Sequence, residues 1–181
     1  MPKDTLTHAE TPRVTSLTLR KPDSTDGAAI WELVRACAPL DENSMYCNLI
    51  QADHFRDTCV VAEIDGEIVG WISGHMVPND HSFFVWQVAV GEKARGMGLG
   101  KKMLLELVNR EETDGAGALK TTITRDNAAS WGLFRSFART IGGELSDEPH
   151  FTRDEHFDGQ HATEHMVTIS LPQDADLAEA A

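Results

Sequence analysis

Val85-Trp86-Gln87-Val88-Ala89-Val90-Gly91-Glu92-Lys93-Ala94-Arg95-Gly96-Met97-Gly98-Leu99-Gly100-Lys101-Lys102 decides the fold. An apolar run ends at Val90, glycines stand at 96, 98 and 100, and helical spacing of Met103, Leu104, Leu107 and Val108 follows. Residues 82–90, SFFVWQVAV, are apolar on both faces, which predicts a central strand. The turn glycines remove side chains and permit positive φ, so several backbone N–H groups can converge on one point. The helix start adds unpaired donors and partial positive charge. The segment therefore predicts a pyrophosphate cradle, with Arg95 and Lys101 as local cations.

Downstream, 118–124 reads as a strand, Asn127 as a helix cap, and Leu133, Phe134, Phe137, Ala138 and Ile141 as one buried helix face. A polar, histidine-rich stretch leads to a last strand at 166–171. Upstream, Thr58–Ile64 and Glu67–His75 flank Asp65-Gly66, a strong hairpin signal. Two helices precede them, one starting near Asp26 and one at 45–56, and SLTLRK at 16–21 alternates as a first strand. The order predicts an antiparallel meander passing into a βαβ unit, an α/β (α+β) class rather than a doubly wound fold. Polar tails are expected at 1–14 and 172–181, leaving one domain over 15–171.

The net charge of −13 opposes phosphate backbones, so no nucleic-acid partner is expected. A local cationic site can still bind a small anion. The odd set Cys37, Cys47 and Cys59 lacks a C-x-x-C spacing and fits a reducing compartment. No apolar run approaches the ~20 residues of a membrane span, and the N-terminal stretch lacks an apolar signal core. The expectation is a cytoplasmic protein with no membrane partner.

Three nucleotide readings compete for the glycine turn. A P-loop ending at Gly100-Lys101 would need Gly at 95 and Ser or Thr at 102, where Arg95 and Lys102 stand. A dinucleotide fingerprint would need its third glycine one position later. The third reading is an acyl-CoA loop: Arg95-Gly96-Met97-Gly98-Leu99-Gly100 resembles the signature of the GCN5-related N-acetyltransferases. Asn127-Ala128-Ala129-Ser130 resembles that family's second cofactor motif, and the likeness spans about 20–170. It implies a sheet with helices on both faces, split between strands 82–90 and 118–124. The pantetheine arm of acetyl-CoA would lie in the split against backbone of Val88, Ala89 and Val90. A backbone N–H near Val88 would hold the thioester oxygen as charge develops. Residues 95–101 would take the pyrophosphate, with Asn127, Ser130 and Phe134 completing the cofactor wall.

Leu40-Asp41-Glu42-Asn43-Ser44-Met45-Tyr46, 84–90, Thr121-Thr122-Ile123-Thr124, Asp126-Asn127-Ala128-Ala129-Ser130 and His161–Glu164 together resemble the diaminobutyrate acetyltransferases of ectoine biosynthesis. This implies acetyl transfer to the side-chain amine of L-2,4-diaminobutyrate, with acetyl-CoA as donor, no metal, and a homodimer. The diamino acid needs anionic partners for its α-ammonium, for which Asp41 and Glu148 are candidates. Its carboxylate needs donors, such as Asn43, Ser44, Thr122 or a histidine such as His161. Trp86 suits an apolar or cation–π wall, and equally suits the core. Asn43 and Ser44 also suit a plain helix cap.

The attacking amine must lose a proton, since an alkyl ammonium has a pKa of ~10. Many family members carry a Glu for this on the cofactor strand, where this chain has Trp86 and Gln87. Asp41, Glu148, Glu164 and the late histidines form the pool, with Asp41 or a histidine-linked water favoured. The position that often holds a thiol-protonating Tyr is Phe134; the single tyrosine, Tyr46, lies in the substrate stretch. Tyr46 supplies that proton or binds substrate, or the thiolate leaves unaided, since a thiol has a pKa of ~8.5. His161-Ala162-Thr163-Glu164-His165 matches H-x-x-E-H, but it runs into a β-like segment, whereas a zinc site of that type needs a helix.

Overall fold

The computed structural model describes residues 16–172. Of the expected tails, 1–14 and 173–181 lie outside these residues. The elements in chain order are β1 (Leu17–Arg20), α1 (Gly27–Ala36), α2 (Met45–His54), β2 (Val60–Ile64), β3 (Glu67–Met76) and β4 (Ser82–Val90), then α3 (Leu99–Val108), β5 (Ala118–Thr124), α4 (Ala128–Ile141), β6 (Leu145–Phe151) and β7 (Glu164–Ser170). One seven-stranded sheet runs β1-β2-β3-β4-β5-β7-β6. All neighbours are antiparallel except β4 and β5, the pair joined through α3. The helices divide between the two faces, as the resemblance implies.

Alternation along the strands builds two cores. Val60, Ala62, Ile72, Phe83, Val85, Leu119, Val167 and Ile169 meet α3 and α4, through Met103, Leu104, Leu107, Phe134 and Phe137. Val61, Trp71 and Ala89 meet Ile30 and Val34 of α1 and Ala52 of α2 on the opposite face. Their burial is what holds the layers, at about 25 cal/mol per Å² of apolar surface removed from water.

One irregularity positions the site. On β4, Gln87 pairs with Ser73 of β3, but the next pair is Val85 with Gly74, so Trp86 is an extra residue, a bulge. Without it Val85 and Ala89 would share a face. With it Val85 faces α3 and α4, while Ala89 faces α1. The bulge also leaves Trp86 53% exposed, so it is not the core residue that an apolar strand suggests. Beyond it the strand parts from its parallel neighbour: β4 and β5 pair only over Ser82–Phe84 and Ala118–Lys120. This is the expected split.

The sequence reading misses β6. Leu145–Phe151 carries Asp147, Glu148 and Pro149 and is exposed along nearly its whole length. As the sheet's edge it has no apolar face to show, and an edge tolerates proline and charge. β7 starts at Glu164, two residues before the expected start, because the ladder with β5 continues through Thr124 and Glu164.

Candidate active site

A cleft of about 720 Å³ opens where β4 leaves β5. Val88 and Val90 form its floor, Gly98, Leu99, Gly100 and Lys101 one rim, and Asn127, Ala129, Ser130 and Leu133 the other. Arg95 and Gly96 line the cleft as well. Gly96 and Gly98 have φ of +78° and +68°, where an L side chain is strained, and a Cβ on either would meet nothing within 4 Å. The cradle therefore depends on backbone conformation and open space. Gly100 serves differently: a Cβ there would lie 3.2 Å from Leu133, so it lets α3 approach α4. The bond from Lys102 N–H to Gly98 C=O, 3.1 Å, opens the helix ladder. The N–H groups of the first turn before it have no partner within the helix. Arg95 Nε donates to Val90 C=O at 3.3 Å, which sets the guanidinium against the end of β4. Asn127 Oδ1 caps α4 by accepting from Ser130 N–H at 3.1 Å, and the residue lines the cleft.

The other wall is the α1–α2 connection, whose residues Cys37, Ala38, Pro39 and Leu40 also line the cleft. Cys37 Sγ lies 3.4 Å from Val90 C=O. After Leu40 the chain turns toward the open face of β5 and β7, which carries Thr122, Thr124 and Glu164. Four ionisable groups gather there. Glu164 Oε1 lies 4.0 Å from His161 Nε2, and its side chain is 18% exposed. Its Oε2 is buried without a hydrogen-bond partner. Burial pushes the Glu164 carboxyl above its ordinary value; His161 and the Thr122 hydroxyl oppose this, while Asp41 and Asp126 add to it. A half-buried carboxylate with an unused oxygen, held among further carboxylates, is suited to receive a cationic amine and to take its proton.

A family profile described as Acetyltransferase (GNAT) family matches residues 27–138. The chain belongs to that family. This acetyltransferase is 44% identical over 154 residues to an L-2,4-diaminobutyric acid acetyltransferase of Methylotuvimicrobium alcaliphilum, covering 84% of this chain and 90% of the relative. It is 46% identical over 155 residues to the enzyme of that name from Halomonas elongata, covering 84% and 80%. Among solved structures it is similar to the diaminobutyrate acetyltransferase of Paenibacillus lautus in complex with L-2,4-diaminobutyric acid and coenzyme A. The TM-score is 0.83 at 36% identity, covering 90% of this chain and 98% of that one.

The acetyltransferase brings most of the sequence-predicted residues together, with corrections. Phe134 is 2% exposed and packs in the α3–α4 core, since it lies on the buried face with Trp131 and Ala138; it does not line the cleft. Met97 is half exposed outside the lining, because the turn glycines on either side point it outward. The Ala89 side chain is buried against α1, so only its backbone is available to a ligand. Ser44 Oγ accepts from Cys47 N–H at 3.1 Å and Asn43 Nδ2 donates to Gln87 at 3.4 Å, so both serve the loop itself. Tyr46 is 71% exposed in the first turn of α2. Glu148 sits on edge strand β6 opposite Met166. His161 and Glu164 are not on a helix: Glu164 opens β7, and the next residue, His165, turns to the opposite face.

The sequence reading undervalues Glu164, which it holds only as one of several bases, gives Asp126 and Leu40 no role of their own within the stretches that carry the resemblance, and misses Cys37–Pro39. The signal for Glu164 was an acidic residue opening an otherwise apolar alternation, Glu164-His165-Met166-Val167. A second cleft of about 660 Å³ lies between α1, the β2–β3 turn and Gly91–Lys93. Its cations are engaged, Arg20 with Asp26 at 2.7 Å and Lys93 with Glu67 at 2.8 Å, so it lacks the cradle's available charge.

Proposed function

We propose that the chain transfers the acetyl group of acetyl-CoA to the side-chain amine of L-2,4-diaminobutyrate, giving N4-acetyl-L-2,4-diaminobutyrate and CoA for ectoine biosynthesis. The observation that carries the reading is the junction of the two sites: the α1–α2 connection lines the cleft of the Gly96–Lys101 cradle as far as Leu40, and the next residue, Asp41, joins Asp126 and Glu164 in a carboxylate cluster. A dianionic pyrophosphate and an amino acid with two ammonium groups demand that division of charge. The shared domain with diaminobutyrate acetyltransferases supports the substrate.

In this reading the pyrophosphate rests on Gly96, Gly98, Leu99 and Gly100 N–H groups with Arg95 and Lys101 beside them. The pantetheine arm follows Val88–Val90, and Asn127 Nδ2 meets its amides. The ammonium groups of the diamine are held by Asp41 and Glu164, with Trp86 along the aliphatic chain. Glu164 takes a proton from the N4 ammonium. The freed nitrogen lone pair forms the C–N bond, a backbone N–H near Val88 steadies the resulting oxyanion, and the nitrogen sheds its second proton to solvent as that oxyanion collapses and the C–S bond breaks. The thiolate leaves as such or takes a proton from Tyr46. Glu164 replaces Asp41 as the favoured base because it is the one held above its ordinary range with an unused oxygen. Three free cysteines fit a cytoplasmic location. The exposed Tyr46 and Trp86 fit a homodimer; light scattering should then read twice 19.9 kDa.

The test is thiol release from acetyl-CoA with L-2,4-diaminobutyrate, ornithine and putrescine, with NMR of the product. Fast release with diaminobutyrate and acetyl on N4 is expected. Equal rates with all three amines would sink the assignment.

A further inference from the structure

The Trp86 bulge decides where Gln87 points. It turns Gln87 onto the α1–α2 face of β4, where it is 8% exposed. Its Nε2 donates to Asp41 C=O at 2.9 Å, and its Oε1 accepts from Asn43 Nδ2 at 3.4 Å. Asn43 C=O accepts in turn from Trp31 Nε1 of α1 at 3.0 Å. The Asp41–Asn43 segment is thus tied to β4 beneath it and to α1 beside it.

This use of Gln87 is not forced by a shortage of buried polar partners. Ser73, directly opposite on β3, has a buried hydroxyl without a partner. Both ends of the Gln87 carboxamide are nonetheless committed to the loop. That loop ends the cofactor wall at Leu40 and carries Asp41 to the Glu164 cluster.

We propose that Gln87 is a positioning residue for the diamine: by clamping Asp41–Asn43 it sets the spacing between the Asp41 and Glu164 carboxylates, and so selects L-2,4-diaminobutyrate over longer diamines. The proposal rests on the function inferred above. A neutral carboxamide is required because one end donates and the other accepts. A carboxylate there would face the Asp41 carbonyl oxygen with no proton to give.

The test uses Gln87→Met, which keeps length and loses both bonds, and Gln87→Glu, which keeps shape and loses the donor. Loss of two neutral hydrogen bonds predicts about a tenfold rise in KM for diaminobutyrate. The dissociation constant of acetyl-CoA should stay within about twofold, and the preference for diaminobutyrate over ornithine should fall by a factor similar to the KM rise. Hydrogen exchange should speed up at 40–46 and stay unchanged along α3 and β5. Unchanged exchange at 40–46 in Gln87→Met overturns the clamp. So does an equal loss for both substrates with faster exchange throughout, which marks a merely structural residue. Should the parent protein fail to acetylate diaminobutyrate, the function falls, and exchange at 40–46 still decides the clamp. Asn43→Ala, which spares the Asp41 bond, is the second variant, with a smaller rise in KM.

Discussion

Replacing Glu164 with Gln separates catalysis from stability, because the two should move in opposite directions. The substitution keeps the size and planar shape of the side chain and removes the charge and the proton acceptor. An ammonium held as close to Oε1 as His161 Nε2 is, 4.0 Å, is attracted by about 4 kcal/mol at an effective dielectric of ~20. Solvent, and the carboxylates Asp41 and Asp126 that remain, reduce the net loss on binding. Loss of a general base adds about 10²–10⁴ in rate. A fall in kcat/KM of at least about a hundredfold is therefore expected, most of it in kcat.

The pH dependence follows from the same carboxyl. Its folded pKa is raised, chiefly by burial, so the parent's kcat/KM should climb with pH through a carboxylate limb set above the ordinary value. The Glu164→Gln variant has no such limb. For stability the sign reverses. A carboxyl whose folded pKa is raised binds protons more readily folded than unfolded, so stability is lost as pH rises from the unfolded to the folded pKa. At neutral pH the charged side chain is a burden on the fold, and Glu164→Gln should melt at the parent's temperature or above it. The assays are thiol release across a range of about pH 4.5–9 and thermal melts at pH ~7. A variant that keeps kcat within a few-fold and retains the low-pH limb would refute Glu164 as the base.

Gly98→Trp should abolish acetyl-CoA binding in calorimetry while the domain stays folded, at a cost of about 1–2 kcal/mol for a side chain in left-handed backbone; a folded variant with the parent's affinity refutes the cradle. Trp86→Ala should leave the melting temperature nearly unchanged, since the ring is 53% exposed, yet raise KM for diaminobutyrate about 2–30-fold through loss of a cation–π wall. An unaltered KM would make Trp86 a bystander of the bulge.

The run from Val85 to Lys102 was enough to place a central strand, a glycine turn and a helix, because each rests on local rules: apolar character on both faces, positive φ, and the exposed donors of a first turn. The motif at Asn127 was legible for the same reason, since a cap acts within three residues. The hairpin at Asp65-Gly66 and both core stripes likewise depend on neighbours in sequence. Composition and charge, again properties of the chain alone, turned the reading away from nucleic acid.

The substrate side was only partly legible, because its parts come from distant segments. A one-residue bulge at Trp86 reverses the faces of everything after it, and no pattern in SFFVWQVAV announces which residue is extra. That bulge sends Gln87 to the loop and exposes Trp86. Strand β6 is invisible in composition because an edge needs no apolar face. Among the described acidic residues Glu164 is set apart by a buried, unpartnered oxygen near Asp41, Asp126 and His161. The fold class and the acyl-CoA loop were already written in the linear chain, through local backbone chemistry. Which carboxylate is primed emerges on folding alone, because burial and proximity between residues over a hundred positions apart exist nowhere but in the folded chain.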